Sequence, residues 1–185
     1  MELAILLKEC KEERLTAQKW LFDQFSTRYF LLCRRYLRSN ELAEECMMNG
    51  FLCIFKALPN FEYQNDGASI AWMKRIMINE CLRSLRKKEP LLLVVEELSN
   101  EMPVESNALD KLAAEELFQL ITQLPIGYRT VFNLYAVEGF KHREIARELG
   151  ITEGTSKSQL NKARMMLQQL LAAKNNESNA QRKTK

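Results

Sequence analysis

The sequence contains few residues that interrupt helices. Its 185 residues include six glycines and four prolines, which leaves long stretches where a helix can continue. A sheet protein is excluded because no alternation of apolar and polar residues recurs between turn residues, and the apolar run at 91–95 is too short and isolated. With 46% hydrophobic and 28% charged residues, the chain is too apolar for a disordered protein. We therefore predict an all-α globular fold.

Sequence patterns for metal binding, disulfide bonding and catalysis are also lacking. The single histidine, His142, is distant in sequence from every cysteine, and no two cysteines have C-x-x-C spacing. The cysteines are Cys10, Cys33, Cys46, Cys53 and Cys81. We predict no zinc site, disulfide framework or cofactor, and expect the cysteines to behave as small buried hydrophobic residues. Without a nucleophile beside a base or a phosphate-binding glycine loop, we expect no enzyme.

The chain has little net charge, but the charge is unevenly distributed. A formal net charge of +3 is too small to diagnose a nucleic-acid-binding protein. Basic residues concentrate at 83–88 and 174–185, whereas 96–116 is acidic, which predicts two basic modules separated by a linker. No apolar run is long enough to span a bilayer and no targeting segment opens the chain, so we expect a cytoplasmic protein without membrane insertion.

Residues 142–167 predict two short helices joined by a tight turn. The apolar stripe of the first helix consists of Ile145, Ala146 and Leu149. Gly150 supplies the left-handed backbone position that ends this helix, and either Thr152 or Thr155 can cap the next one. This is the layout of a DNA-reading helix-turn-helix.

The second helix of this pair has two chemically different faces. At about 100° per residue, one face is apolar and consists of Leu160, Ala163, Leu167, Leu170 and Leu171. The opposite face and its surroundings provide the candidate DNA-binding residues: Lys157, Ser158, Asn161, Lys162, Arg164 and Arg143. Such side chains suit base edges and phosphates in the major groove. The alternative is an ordinary helical hairpin with a solvated face, but the glycine turn, the small Ala146 and the one-sided charge together favour DNA binding.

A first block, from about Leu15 to Lys88, contains three predicted helices. The second of them, 41–58, has an apolar stripe formed by Ala43, Met47, Gly50, Phe51, Ile54 and Leu58. Pro59 ends it, and 60–67 is predicted to be a loop. The third helix, 69–88, has a core face of Ile70, Met77, Ile78, Cys81, Leu82 and Leu85, with Trp72, Arg75, Asn79, Arg83 and Arg86 opposite. Cations interleaved with an aromatic ring suit a nucleic-acid strand, although packing of Trp72 on the preceding helix is an equal alternative.

Three segments resemble bacterial sigma factors of the extracytoplasmic-function (ECF) type. ELAEECMMNGFLCIFKAL at 41–58 is similar to the family's polymerase-binding helix, and AWMKRIMINECLRSLRK at 71–87 is similar to its promoter-melting helix. LPIGYRTVFNLYAVEGFKHREIARELGITEGTSKSQLNKARMML at 124–167 resembles its C-terminal domain. All three occur in the family's order with a linker between them.

The resemblance implies a dissociable RNA polymerase subunit built from two small helical domains. The implied divisions are region 2 at 1–90, a flexible linker at 91–110, region 4 at 111–172 and a disordered basic tail at 173–185. Region 2 would bind polymerase and melt the −10 element, and region 4 would recognise the −35 element. The implied partners are core RNA polymerase, double- and single-stranded promoter DNA and an anti-sigma factor.

The resemblance also implies roles for particular residues of the first block. The implied polymerase-binding residues are Glu44, Glu45, Met48, Asn49, Phe51 and Leu52. The implied −10 residues are Phe61, Tyr63, Asn65, Trp72, Arg75, Asn79, Arg83 and Arg86.

Four positions depart from the family pattern. Met48 and Asn49 stand where the family usually has Gln followed by an acidic residue, and Arg83 stands where Asp or Asn is common. Ser156 lies on the inward face where an apolar residue is usual, so we expect the recognition helix to be held less firmly.

Two alternatives to a sigma factor remain open. One is a helix-turn-helix regulator whose first block dimerises or senses a signal, and the basic, aromatic face at 72–86 counts against it. The other is a sigma-like protein that sequesters partners without initiating transcription, an idea that Met48 and Asn49 leave open.

Overall fold

The computed structural model describes residues 2–88 and 114–183, and it confirms the all-helical prediction within those ranges. The predicted linker at 91–110, including the apolar run at 91–95, lies outside the described residues. The α-helices are α1 (Leu3–Lys11), α2 (Leu15–Leu37), α3 (Asn40–Ala57), α4 (Asp66–Lys88), α5 (Ala114–Gln123), α6 (Ile126–Phe132), α7 (His142–Leu149) and α8 (Glu153–Lys183). A 3-10 turn at Leu58–Asn60 follows α3, and a π-helical segment at Asn133–Val137 follows α6. The helices form two compact units, Met1–Lys88 and Glu89–Lys185.

Helices α2, α3 and α4 pack together in the N-terminal unit, and α1 packs against α2. The residues predicted for the core faces of α3 and α4 are buried, apart from half-buried Ile70, and Met73 joins them. Helix α1 was not predicted, because the first block was expected to begin near Leu15. Its buried residues are Leu3, Leu6, Leu7 and Cys10. They recur at the helical spacing i, i+3, i+4 and i+7, so this amphipathic stripe was present in the sequence and overlooked.

Helices α3 and α4 make a close contact at Gly50. A Cβ atom built on Gly50 would overlap the sulfur of Met77 and would lie 2.9 Å from its Cε atom. Both residues are buried, so α4 approaches the backbone of α3 because residue 50 has no side chain.

The C-terminal unit packs α5, α6 and α7 against α8. Pro125 immediately precedes α6, and the buried Arg129 guanidinium donates a hydrogen bond to the Leu124 carbonyl at 2.7 Å. The predicted disordered tail at 173–185 is wrong for most of its length, because α8 continues to Lys183. A contact explains part of this continuation: the Lys174 ammonium pairs with the Glu116 carboxylate of α5 at 2.9 Å. In the described ranges, no helix is both long and apolar enough to cross a membrane.

Candidate nucleic-acid interface

The turn between α7 and α8 has the predicted geometry. Gly150 has φ 67° and ψ 33°, the left-handed conformation that ends a helix at little steric cost to glycine. The Thr152 hydroxyl accepts a hydrogen bond from the Thr155 backbone N–H at 3.0 Å, so Thr152, not Thr155, caps α8. The inward residues Ile145, Ala146, Leu149, Leu160, Ala163 and Leu167 are buried, while Leu170 and Leu171 are half-buried. The packed side of the motif therefore matches the prediction.

A hydrogen bond also joins the two helices. His142 Nδ1 lies 2.9 Å from the Ser156 hydroxyl, and Ser156 is completely buried. The expectation that Ser156 weakens the seating of α8 is therefore not supported, because this polar residue has a partner on α7. The His142 ring also stacks on Tyr135 with centroids 4.5 Å apart, and the Arg164 guanidinium lies 5.8 Å from the Tyr135 ring centre. We name His142, Ser156, Tyr135 and Arg164 the polar latch.

Within the polar latch, the imidazole of His142 has a shifted pKa. The pKa of His142 is lowered, first because the ring is partly buried and then because the cations Lys157 and Arg164 lie nearby, although Glu153 opposes them. His142 is therefore neutral near neutral pH, and its neutral ring can share the hydrogen bond with Ser156. This role of His142 could not be predicted from the sequence, because Tyr135, Ser156 and Arg164 are brought to the ring by folding.

The candidate DNA-reading residues differ in exposure. Lys157 and Arg143 are exposed, and Ser158, Asn161 and Lys162 are half-buried. Arg164 is directed at Tyr135, so part of its role is internal to the unit. The outward side of α8 thus presents ammonium, hydroxyl and amide groups from consecutive turns, which is the chemistry that major-groove recognition requires.

In the N-terminal unit, two of the three aromatic residues implied in −10 recognition contact each other. Phe61 and Trp72 stack with centroids 4.1 Å apart and an interplanar angle of 22°, and both are half-buried. Packing of Trp72 was the alternative interpretation, but its partner belongs to the loop after α3 rather than to α3 itself. The two rings are therefore held in a fixed arrangement, and aromatic rings held in this way are suited to stacking on an unpaired base.

The other two loop candidates have local structural roles. The Asn65 side-chain oxygen accepts the Ala68 backbone N–H at 2.8 Å and caps α4. Tyr63 donates a hydrogen bond to the Asp66 carboxylate at 2.7 Å, which raises the pKa of the phenol. The capping role of Asn65 competes with any contact between its carbonyl oxygen and a base, whereas Tyr63 is 44% exposed.

A cavity of about 420 Å³ lies between this loop and α1. Its lining residues are Ala4, Leu7, Lys8, Lys11, Leu58, Phe61, Glu62 and Tyr63. Lys11 also donates a hydrogen bond to the Phe61 carbonyl at 3.3 Å, which ties α1 to the loop. Lys8 and Lys11 were not predicted as candidates, because they lie on α1, which was not predicted either.

The cationic residues of α4 are not equivalent. Arg83 pairs with Glu80 on its own helix, with Nε 3.1 Å from the carboxylate oxygen, so part of its charge is already compensated. Asn79 and Arg86 are exposed, and Arg75 is half-buried. Asn79 and Arg86 are therefore the more accessible candidates for a phosphate or base contact.

The predicted polymerase-binding residues divide between surface and core. Glu44 and Glu45 are exposed, Asn49 is half-buried, and Met48 and Leu52 are 49% and 55% exposed. The prediction that Phe51 binds polymerase is corrected here, because its side chain is only 2% exposed. Its ring packs on Phe22, Tyr29 and Phe55. The apolar periodicity that places Phe51 in the core overrides the resemblance at that position.

These two helical units, one carrying a helix-turn-helix and the other an aromatic and cationic helix, define a class of promoter-binding transcription proteins. The family model described as "Sigma-70 region 2" matches residues 21–90, and "Sigma-70, region 4" matches 114–167. The chain belongs to the sigma-70 family of RNA polymerase sigma factors, in its ECF group. It is a sigma factor that directs promoter-specific transcription, and the two alternatives are not favoured.

Individual relatives agree with this assignment. The chain is 28% identical over 172 residues to the ECF RNA polymerase sigma factor SigM of Mycobacterium tuberculosis, covering 91% of this chain and 86% of SigM. It is 23% identical to the ECF RNA polymerase sigma factor SigW of Bacillus subtilis, covering 89% of this chain and 94% of SigW. A solved structure of CnrH in complex with the cytosolic domain of CnrY has a similar fold, with a TM-score of 0.50 and 20% identity over 91% of this chain and 96% of that one.

Proposed function

We propose that the N-terminal unit binds core RNA polymerase through the exposed face of α3. The observation that carries this proposal is the pair Met48 and Leu52, which lie one turn apart and are each about half exposed. Exposed apolar residues beside the acidic pair Glu44 and Glu45 suit a protein interface. Binding would remove the apolar side chains from water, and the carboxylates would orient the partner protein.

The loop and cavity beside α1 would capture an unstacked base of the downstream, or −10, element. Separating a DNA base-pair step costs about 1.4 kcal/mol, and stacking one base on an aromatic ring returns roughly 1–3 kcal/mol. One or two captured bases therefore offset several opened steps. Phe61 and Tyr63 supply rings at the cavity, where Lys8 and Lys11 supply positive charge, and Trp72 stacks on Phe61.

The C-terminal unit would bind the upstream, or −35, element through α8. The amide of Asn161 and the ammonium groups of Lys157 and Lys162 reach the outward side of the helix, and the polar latch holds α8 against α7. A helix fixed in this way loses less conformational entropy when it enters the major groove.

An anti-sigma protein is a further proposed partner. The CnrH structure supports it in one respect, since that related fold forms a complex with a second protein. The exposed face of α3 would be the natural target, because a protein covering Met48 and Leu52 would compete with polymerase.

Run-off transcription with core polymerase tests the proposal. Core enzyme supplemented with the full chain should start at a defined site, and the double variant Met48→Glu, Leu52→Glu should lose most of this activity and co-purify poorly with polymerase. Leu15→Glu is the control, because Leu15 is 79% exposed at the start of α2. Equal losses in both variants, or core enzyme that ignores the wild-type chain, would refute the proposed interface.

A further inference from the structure

Three cysteines that are far apart in sequence meet in the core of the N-terminal unit. Cys33 of α2, Cys46 of α3 and Cys81 of α4 place their sulfur atoms within 4.8 Å of one another. The Cys46 and Cys81 sulfurs are 3.6 Å apart. All three residues are buried, with exposures of 0%, 4% and 0%. We name them the thiol cluster.

The spacing of the thiol cluster suits a shared ion. With bonds to sulfur of about 2.3 Å, thiolates lie roughly 3.8–4.0 Å apart around a tetrahedral or planar ion, and roughly 3.4–3.5 Å apart around a pyramidal one. The sulfur atoms lie within 4.8 Å of one another, so binding requires them to move together by at most about 1.5 Å. If these cysteines only filled space in the core, their three sulfur atoms, which come from three helices, would not need to lie next to one another.

A path leads to the thiol cluster from the surface. Cys46 lines a cavity of about 260 Å³ together with polar and charged residues: Glu45, Asn49, Glu80, Arg83, Ser84 and Lys87. Cys46 is therefore the member of the cluster that a ligand entering through this cavity meets first.

The number of ligands in the thiol cluster and the charge left after binding limit the class of ion that the cluster can hold. Among the described residues, the group that could hold an ion contains three sulfurs and no histidine or carboxylate, whereas structural zinc prefers four ligands. Three thiolates around a divalent ion leave one negative charge in the core, and around a monovalent ion they leave two. A trivalent thiophilic ion leaves none, and an uncompensated buried charge is strongly unfavourable.

We propose that the thiol cluster is a binding site for a trivalent thiophilic metalloid, the chemistry of arsenite. Arsenite enters as the neutral trihydroxide; Cys46 attacks first, and three As–S bonds replace three As–OH bonds. Each thiol proton leaves with a hydroxide as water, so three waters are released, the oxidation state of arsenic is unchanged and the product is neutral. The bound ion cross-links α2, α3 and α4, which couples the polymerase-binding helix to the promoter-melting helix.

Mass spectrometry of the full chain under native conditions tests the site without any substitution. Protein reduced with a phosphine is mixed with one equivalent of arsenite, and the adduct should contain one arsenic atom and lack three protons. Alkylation in denaturant after binding should then modify Cys10 and Cys53 only, whereas all five cysteines should be modified when arsenite is left out, since burial no longer protects them. An adduct with fewer than three bonds, or protection that includes Cys10 or Cys53, would overturn the proposal.

Variants and competing ions sharpen this test. Cys46→Ser should weaken arsenite binding by at least roughly tenfold, since the remaining thiols lose the effective concentration of a third. Cys53→Ser should bind like the wild type, because Cys53 lies outside the cluster and contacts Glu80. Arsenite should also raise the melting temperature of the wild type and not of Cys46→Ser. Tighter binding of Zn²⁺ or Cu⁺ than of arsenite would refute the choice of ion. If the protein takes up no arsenite and peroxide forms a Cys46–Cys81 disulfide, the proposal is overturned and the cluster is a redox pair instead.

Discussion

The imidazole of His142 and the hydroxyl of Ser156 lie 2.9 Å apart and join the two helices of the helix-turn-helix. Ser156 is completely buried, so this hydrogen bond forms where water cannot replace it. The orientation of the side of α8 that we propose reads DNA therefore depends on a residue on the inward side of the same helix.

Replacing Ser156 with Ala should destabilise the C-terminal unit by about 1–3 kcal/mol, because the partly buried imidazole loses its partner. Chemical denaturation monitored by circular dichroism measures the loss. Ser158→Ala is the matched control, since Ser158 lies two residues away and is only half-buried. A variant Ser156→Ala that is as stable as the control would show that the hydrogen bond contributes nothing.

Stability of the C-terminal unit should fall as the pH falls through the range of histidine titration. The pKa of His142 is lower in the folded state than its ordinary value of 6.5, so the unfolded state takes up the proton first. The stabilising contribution of neutral His142 is therefore complete above about pH 6.5 and is lost as the pH falls toward the folded pKa. Because the chain has one histidine, NMR titration of its ring reports the pKa directly. His142→Gln should remove this part of the pH dependence, and an unchanged profile in that variant would contradict the assignment.

Substituting Gly50 with Ala should destabilise the N-terminal unit by about 1–3 kcal/mol, because the new methyl group overlaps the buried side chain of Met77. Thermal denaturation measures the effect. Gly154→Ala is the control: its Cβ would lie 3.6 Å from the Thr152 hydroxyl, an ordinary contact, and alanine favours the helix. We expect Gly50→Ala to lower the melting temperature and Gly154→Ala to raise it. A Gly50→Ala protein with an unchanged melting temperature would show that the side chain of Met77 has room to move.

Replacing Lys162 with Ala should weaken binding to a −35 element. If the ammonium contacts phosphate, the salt dependence of binding should decrease by about one counterion; if it contacts a base, the slope should persist and sequence preference should relax. Binding isotherms at several salt concentrations distinguish the two results. Lys174→Ala is the control on the same helix, because Lys174 pairs with Glu116. Equal effects of both substitutions would place the DNA contact elsewhere.

Combined replacement of Trp72 and Arg75 with Ala should impair promoter opening more than closed-complex binding. The Phe61–Trp72 stack is half-buried and preformed, so its loss removes the proposed platform for an unstacked base. Permanganate reactivity of unpaired thymines measures opening, and gel-shift assays at low temperature measure closed binding. The variant Lys19→Ala, exposed on α2, serves as the comparison. A proportional loss of both activities would argue for a purely structural stack.

Local patterns in the sequence predicted a large part of the fold. The helical period placed the core faces of α3 and α4, and Gly150 marked the turn before α8, because both signals depend only on the backbone geometry of one segment. The prediction failed at α1, where a short apolar stripe was overlooked. It also failed after residue 173, where polar composition suggested disorder although α8 continues.

The candidate site was predictable only in its outward-facing parts. Lys157 and Arg143 are exposed as the helix face requires, but the resemblance placed Phe51 at a surface where it is buried. A resemblance to a family assigns a role to a position in the sequence. The exposure of the side chain at that position depends on which other residues pack over it.

By itself, the sequence determined the helical segments, the side of each helix that faces the core and the family to which the segments belong. The tertiary structure decided which distant residues meet: His142 with Ser156, Phe61 with Trp72, and Cys33 with Cys46 and Cys81. The physical reason is that amphipathic periodicity is a property of one helix, while the rotation and crossing of neighbouring helices result from packing the whole core to high density.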